Sequence, residues 1–166
     1  MRGCFLDFDG PLHPVSEIAD QRSKVSSADL PHLVKTRGLF RWLPILERAL
    51  ENHDDVVIVV HSGWRGLATN SQLKEFLGPL APRFIGITSI DMPRYEGIVD
   101  FAARAGLDSY RIIDDAAHEF PAKLHELVLT DPELGLSEGA PCDALADWLL
   151  QSAPQQVPVP ARQTYS

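Results

Sequence analysis

Near the start of the chain, residues 3–10 read GCFLDFDG, a short apolar run that ends in two acids and a glycine. The apolar residues predict a buried strand, and the following Gly10-Pro11 pair predicts the turn that stops it. Side chains two residues apart on a strand point the same way, so Asp7 and Asp9 are expected to face one side together. This stretch therefore predicts a strand that carries a pair of carboxylates to its carboxyl end.

Similar apolar runs recur along the chain. Val56–Val60 is an unbroken β-branched run, as in a central parallel strand covered on both faces. Further strands are predicted near residues 84–88, 110–113 and 127–130. Apolar spacing predicts helices over about 39–50, 65–77 and 98–105 and another that begins near 141, whereas residues 11–37 predict a flap with one short helix. The alternation predicts an α/β fold of three layers, Rossmann-like, with a mostly parallel sheet of about five strands.

Length and charge limit the organisation and the partners. With 166 residues the chain has room for one domain, predicted over residues 1–152, and the proline-rich stretch 153–166 predicts a disordered tail. The net charge is −8, which argues against binding nucleic acid or anionic membrane through bulk positive charge.

Three further features predict a cytoplasmic protein. The longest strictly apolar run has five residues, Val56–Val60, far fewer than the roughly 20 of a membrane helix. Asp7 and Asp9 interrupt what would be the apolar region of a signal peptide. Cys4 and Cys142 form no CxxC pair and predict buried thiols in a reducing compartment.

Polar residues follow each predicted strand, where ligands bind in open parallel sheets. Four of them, Asp7, Asp9, Asp114 and Asp115, would repel one another at one edge unless a cation lay between them. Oxygen-rich, carboxylate-lined sites suit Mg²⁺, and substrate phosphate oxygens usually complete the coordination of this ion. Alternatives exist: Asp7 and Asp9 could form a strand-end turn, and Asp114 and Asp115 could cap a helix. A calcium loop of the EF-hand type fails because Pro11 occupies a ligand position.

The order of these motifs resembles the haloacid-dehalogenase-like (HAD) hydrolase superfamily. Its DxDG motif corresponds to residues 7–10, and its apolar strand ending in serine or threonine corresponds to residues 56–62. Its lone cation corresponds best to Arg94, with Lys74 and Arg83 as rivals, and its acid pair corresponds to residues 114–115. The resemblance covers roughly residues 3–150 and implies a HAD fold without a large cap domain.

Three smaller features resemble the capless HAD domain associated with Swiss army knife RNA repair proteins. They are the sequence SGWR at residues 62–65, the pair Phe120-Pro121 after the acids, and Thr130-Asp131 ahead of Gly135-Leu136. A role in RNA repair is implied by this resemblance alone.

The resemblance also implies a role for each residue. Asp7 would be the nucleophile and Asp9 the general acid and base. Ser62 and the Gly63 N–H would hold a phosphoryl oxygen, and Arg94 would neutralise the phosphate. The metal ligands would be Asp7, the backbone carbonyl of Asp9 and Asp114, with Asp115 binding directly or through water.

Several residues around the end of the second predicted strand have more than one interpretation. Ser62 could simply cap a helix, and Trp64 suits packing or base stacking. Arg65 suits an ion pair with the acids or a contact with phosphate, and His61 could contact substrate or end the strand. His118-Glu119 does not form a zinc-protease motif, because no second histidine follows at the spacing that the motif requires.

The predicted function is a Mg²⁺-dependent phosphomonoesterase that acts through an aspartyl-phosphate, with nucleic-acid ends or nucleotides as candidate substrates. The alternative is a catalytically silent or regulatory phospho-binding HAD module. The sequence does not fit a two-component receiver, which has adjacent acids after its first strand and the phospho-acceptor aspartate after its third. Here one residue separates the two acids after the first strand, and the next two strands end in Ser62 and Thr88.

Overall fold

The computed structural model describes residues 1–151, and the predicted tail lies outside the described residues. The strands and α-helices follow one another in the order β1 (Arg2–Leu6), α1 (Leu30–Arg37), α2 (Leu43–Leu50), β2 (Val56–Val60), α3 (Asn70–Phe76), β3 (Phe84–Ile87), α4 (Arg94–Ala105), β4 (Ser109–Asp114), β5 (Leu127–Leu129) and α5 (Gly139–Leu150). Short 3₁₀ helices lie between them, at residues 15–17, 27–29, 63–66, 78–83, 117–119 and 135–137.

The five strands form one parallel sheet in the order β3-β2-β1-β4-β5. β1 lies at its centre, and its last residue, Leu6, pairs with Val60 of β2 and Ile113 of β4. Because the ladder is in register here, the next residues of the three chains, Asp7, His61 and Asp114, lie at the same level. The predicted parallel α/β sheet is confirmed.

Helices cover both faces of the sheet. Cys4 and Leu6 of β1 pack into the larger cluster, which contains buried residues of α1, α2, α3 and α5. Phe5, on the opposite face, packs with Ile98 and Ala102 of α4. The alternation of side chains along β1 thus divides the core in two and produces the predicted three layers.

Two local predictions need correction. The helix predicted over 65–77 is split into a 3₁₀ turn at Gly63–Gly66 and the α-helix α3, because Thr69 caps a new helix by accepting from the Gln72 backbone N–H. β1 ends at Leu6, so Asp7 and Asp9 lie in the turn beyond it. Strand alternation therefore does not decide where these two carboxylates point.

The segment between β1 and α2 contains only short helical elements. The longest is α1, eight residues that end at Gly38 with its left-handed backbone. No helix within residues 1–151 combines the length and apolar character needed to cross a membrane.

Candidate active site

Three carboxylates meet at the carboxyl edge of the sheet. One oxygen from each of Asp7, Asp114 and Asp115 lies within 4.8 Å of the other two. Asp7 directly follows β1, Asp114 is the last residue of β4, and Asp115 comes next. Three hard oxygen ligands at this spacing fit a divalent cation such as Mg²⁺. The Asp9 carboxylate is not part of this cluster, and the metal-shell role of its backbone carbonyl stays a prediction.

Burial makes this cluster electrostatically unfavourable without a cation. Burial and then the charge of Asp114 raise the pKa of Asp7 well above its usual range. Burial and Asp114 likewise raise the pKa of Asp115. A cation bound among these oxygens would offset both effects, so the ligand atoms and their electrostatic surroundings both favour a bound cation.

Arg94, the first residue of α4, provides a positive charge beside these acids. Its Nη1 donates to Asp114 Oδ2 at 2.5 Å and lies 3.6 Å from Asp7 Oδ2. Burial would lower the pKa of Arg94, but Asp114 and Asp7 raise it. The guanidinium is therefore held in its charged form between the carboxylates.

The rival cation Arg83 lies elsewhere. Its guanidinium donates to the backbone carbonyls of Leu50, His53 and Val56. Val56 begins β2, so these contacts lie at the amino edge of the sheet, opposite the acids. The other rival, Lys74, is on α3. The guanidinium that contacts Asp7 and Asp114 is that of Arg94.

Asp9 is held by three donors. Its Oδ1 accepts from His13 Nε2 at 2.7 Å and from Trp64 Nε1 at 2.8 Å, and its Oδ2 accepts from Arg22 Nη2 at 2.5 Å. Burial would raise the pKa of Asp9, but His13, Arg22 and Trp64 together lower it. The two acids of the first motif thus have opposite electrostatic surroundings.

His13 is oriented by a second contact. Its Nδ1 accepts from the Phe40 backbone N–H at 3.2 Å, so Nε2 carries the proton that is donated to Asp9. The imidazole is fully buried. His13 therefore fixes the orientation of the Asp9 carboxylate.

Ser62 and Gly63 follow β2 beside the acids. Ser62 is fully buried, and its Oγ accepts from the Trp64 backbone N–H at 3.3 Å, as the alternative of helix capping predicts. A hydrogen bond from Ser62 also opposes the upward shift in the pKa of Asp7. No atom beyond its chain neighbours lies within 4 Å of where a Gly63 side chain would begin. There is therefore open space on that side of Gly63, which is exposed.

Arg65 makes contacts that were not predicted. Its Nε donates to the Ser62 carbonyl at 2.8 Å, and its Nη1 donates to the carbonyls of Thr88 and Ser89 and to the Thr88 hydroxyl. These bonds join the turn after β2 to the loop after β3. In this arrangement Arg65 braces the two loops, and its contact with substrate stays a prediction.

His61 is buried against the acid cluster. Its Nδ1 lies 3.6 Å from Asp114 Oδ2, and neither ring nitrogen has a hydrogen-bond partner within residues 1–151. Burial, Arg94 and Arg65 hold the pKa of His61 well below its usual range, so the ring is neutral. The imidazole is fully buried, and a contact with substrate would require it to be uncovered.

Sequence reasoning missed His13 and Arg22. His13 lacks the spacing of a metal ligand, so no motif singles it out, although it follows Asp9 by four residues. Arg22 lies in the flap, with no periodicity to place it. Trp64 packs against Phe8 and Phe40, which agrees with one of its two sequence interpretations, and its indole also donates to Asp9, which neither interpretation predicts.

Comparison with known proteins finds one family. A family model described as "HAD domain in Swiss Army Knife RNA repair proteins" matches residues 4–140. This range includes the last three residues of β1, the other four strands and the three clustered acids. No curated protein and no solved structure matches the chain.

Proposed function

Because the chain belongs to the family of HAD domains in Swiss Army Knife RNA repair proteins, we propose that it is a Mg²⁺-dependent phosphomonoesterase. One observation carries the proposal. Asp7, Asp114 and Asp115 converge within 4.8 Å at the end of the central strands, with the Arg94 guanidinium against two of them. Such a site neutralises a phosphate dianion next to a carboxylate that can attack it.

The proposed reaction has two steps. An oxygen of Asp7 attacks phosphorus, the bond to the leaving oxygen breaks, and Asp9 gives that oxygen a proton. The donors around Asp9 hold it ionised in the free protein, so it takes up this proton from solvent as substrate binds. Asp9 then accepts a proton from water, whose oxygen attacks the aspartyl-phosphate. Inorganic phosphate leaves and Asp7 is regenerated, so nucleophile and proton donor both return to their starting states.

The surrounding residues position the phosphate. Mg²⁺, held by Asp7, Asp114 and Asp115, would supply positive charge against the phosphoryl oxygens and the nucleophile. The Ser62 hydroxyl and the Gly63 N–H would donate to a phosphoryl oxygen. Arg94 would stabilise the charge that develops as the bond to the leaving group breaks.

The shape of the site supports substrates with large leaving groups. The residues between β1 and α2 include only short helices, so the site has no large cap. A nucleic-acid end or a nucleotide could therefore enter, and we include these as the proposed substrates. The net charge of −8 does not oppose this, because part of it belongs to acids that the cation would offset. The free cysteines, Cys4 and Cys142, are consistent with a proposed cytoplasmic location.

The first experiment compares wild type, Asp7→Asn and Asp54→Asn. Each is assayed for phosphate release from p-nitrophenyl phosphate and from terminally phosphorylated oligonucleotides, with Mg²⁺ and with EDTA. Asp54 is a fully exposed acid and serves as the matched control. We expect Mg²⁺-dependent turnover that Asp7→Asn lowers by at least about a thousandfold and that the control retains.

Two results would contradict the proposal. Turnover that survives Asp7→Asn would exclude the covalent route. If wild type releases phosphate from none of the substrates while still binding phosphate in the presence of Mg²⁺, the phospho-binding module is the better description.

A further inference from the structure

A pocket of about 250 Å³ lies on one side of Asp9. It is lined by Asp9, Arg22, Gly63, Trp64 and Leu67, and we call it the leaving-group pocket. Gly63 places it beside the proposed phosphoryl site, and Asp9 places it beside the proposed proton donor. The pocket is smaller than the roughly 300–1,000 Å³ of typical small-molecule sites, so it suits one chemical group adjoining the scissile phosphate.

The two oxygens of Asp9 are not equivalent toward this pocket. Oδ1 is bound by His13 and Trp64, whose side chains are almost fully buried. Oδ2 is bound by Arg22, which comes from the flap. A leaving oxygen can therefore reach Asp9 most readily at Oδ2, where the Arg22 guanidinium now lies.

Arg22 is free to change partners, whereas Asp9 is not. The Arg22 side chain is 55% exposed and the Asp9 side chain is 4% exposed. When the leaving oxygen takes the place at Oδ2, the guanidinium must find another acceptor. A planar guanidinium pairs best with a carboxylate or a phosphate, which it can bind through two parallel N–H groups.

We propose that Arg22 binds an anionic group on the leaving side of the substrate, exchanging Asp9 for that group when substrate enters. The preferred substrate is then a phosphomonoester whose alcohol carries a second phosphate, as a terminally phosphorylated oligonucleotide does. This inference rests on the proposed function, because that function assigns Asp9 to the leaving oxygen. It adds a specificity-determining residue and a substrate class.

The test measures binding separately from turnover. Calorimetry on the Asp7→Asn protein with Mg²⁺ compares a nucleoside monophosphate with a dinucleotide of the same terminal phosphate, for both 3′ and 5′ phosphates. The two ligands differ by one phosphodiester and the nucleoside attached to it, and the Arg22 variants separate the contribution of the phosphodiester charge. We expect the dinucleotide to bind more tightly, and Arg22→Gln to weaken its binding about tenfold while changing that of the mononucleotide by less than about threefold.

Lys24→Gln is the matched control, because it removes one positive charge from the same exposed segment. It should leave the affinities for both ligands within about twofold. Arg22→Lys should weaken dinucleotide binding to an intermediate extent, since it keeps the charge and loses the fork. Thermal unfolding of each variant checks that the fold is retained.

The outcomes separate this inference from the proposed function. Equal affinities for the two ligands, an equal loss for both in Arg22→Gln, or no binding of either ligand would overturn the role of Arg22. If Arg22→Gln selectively weakens the dinucleotide but the wild-type protein never releases phosphate, the anion site stands and the phosphatase proposal fails.

Discussion

Asp7 and Asp9 show how strongly tertiary surroundings act on two identical residues in one turn. Burial and Asp114 raise the pKa of Asp7, whereas three hydrogen-bond donors lower the pKa of Asp9. Carboxylates with opposite shifts commonly take different roles in one reaction. Here the upward shift of Asp7 is the electrostatic cost that a cation would remove.

This upward shift predicts a stability effect of Asp7→Asn in EDTA. The pKa of Asp7 in the folded chain lies above the ordinary value of 3.8, so between these values the folded state binds more protons than the unfolded state. The contribution of Asp7 to stability therefore falls as the pH rises through this interval. At pH 7 we expect Asp7→Asn to be more stable than wild type, with the difference shrinking toward pH 4.

Urea unfolding at pH 4, 5.5 and 7 in EDTA measures this difference. Adding Mg²⁺ should reverse the order of the two proteins, because only wild type keeps all three clustered carboxylates. A variant less stable than wild type in EDTA at pH 7 would show that Arg94 already compensates the buried charge.

The loops at the carboxyl edge carry the site, and they support one another through close backbone contacts. Leu136 N donates to the Pro11 carbonyl at 3.0 Å, which ties the 3₁₀ turn at 135–137 to the turn after β1. Gly135 has a left-handed backbone, with φ +48°, and a side chain there would meet the Gly10 carbonyl and the Trp42 ring. The turn that carries Asp9 is thus held in place by a segment more than 120 residues later.

Gly135→Ala should therefore destabilise the protein. Backbone strain and overpacking each cost about 1–3 kcal/mol, so we expect a loss of about 3 kcal/mol in the free energy of unfolding. Gly139→Ala is the control, because no side-chain or backbone atom lies near its added methyl group and its φ is not positive. Chemical denaturation of both variants measures the difference, and a loss below about 1 kcal/mol for Gly135→Ala would contradict this account.

At the scale of the whole molecule, the sheet order brings distant acids together. β1 lies between β2 and β4, so residues near 7, 61 and 114 meet although more than 50 residues separate each pair. Arg2 joins the first strand to the last helix: it bonds the Asp55 carboxylate and the carbonyls of Trp148 and Leu149. The fold thus concentrates part of an overall acidic charge at one edge.

This concentration predicts that Mg²⁺ stabilises the folded chain. At about a hundred times its Kd, a ligand that binds only the folded state adds about 2.7 kcal/mol. For a domain of this size that corresponds to an increase in Tm of about 5–10 °C. Calorimetric scans of wild type should show the increase, Asp114→Asn should lose most of it, and Asp54→Asn should keep it. An equal increase in all three proteins would place the ion elsewhere.

Several elements could be predicted from sequence because their causes are local. β2 has the predicted bounds, Val56–Val60, since five consecutive β-branched or apolar residues favour a buried strand. α4 ends before Gly106, whose backbone is left-handed as a helix end favours. The position of Asp7, Asp114 and Asp115 at the ends of predicted parallel strands also predicted that they lie together, because parallel strands end at a common edge of the sheet.

Only the tertiary structure decided which side chains meet across the loops. The contacts of Asp9 with His13 and Arg22, the place of Arg94 rather than Arg83 beside the acids, and the bracing contacts of Arg65 depend on how the flap and loops close. Local sequence patterns record backbone conformation and burial, which act over a few residues. Polar partners distant in sequence are selected by the geometry of the folded chain, and no short pattern encodes that geometry.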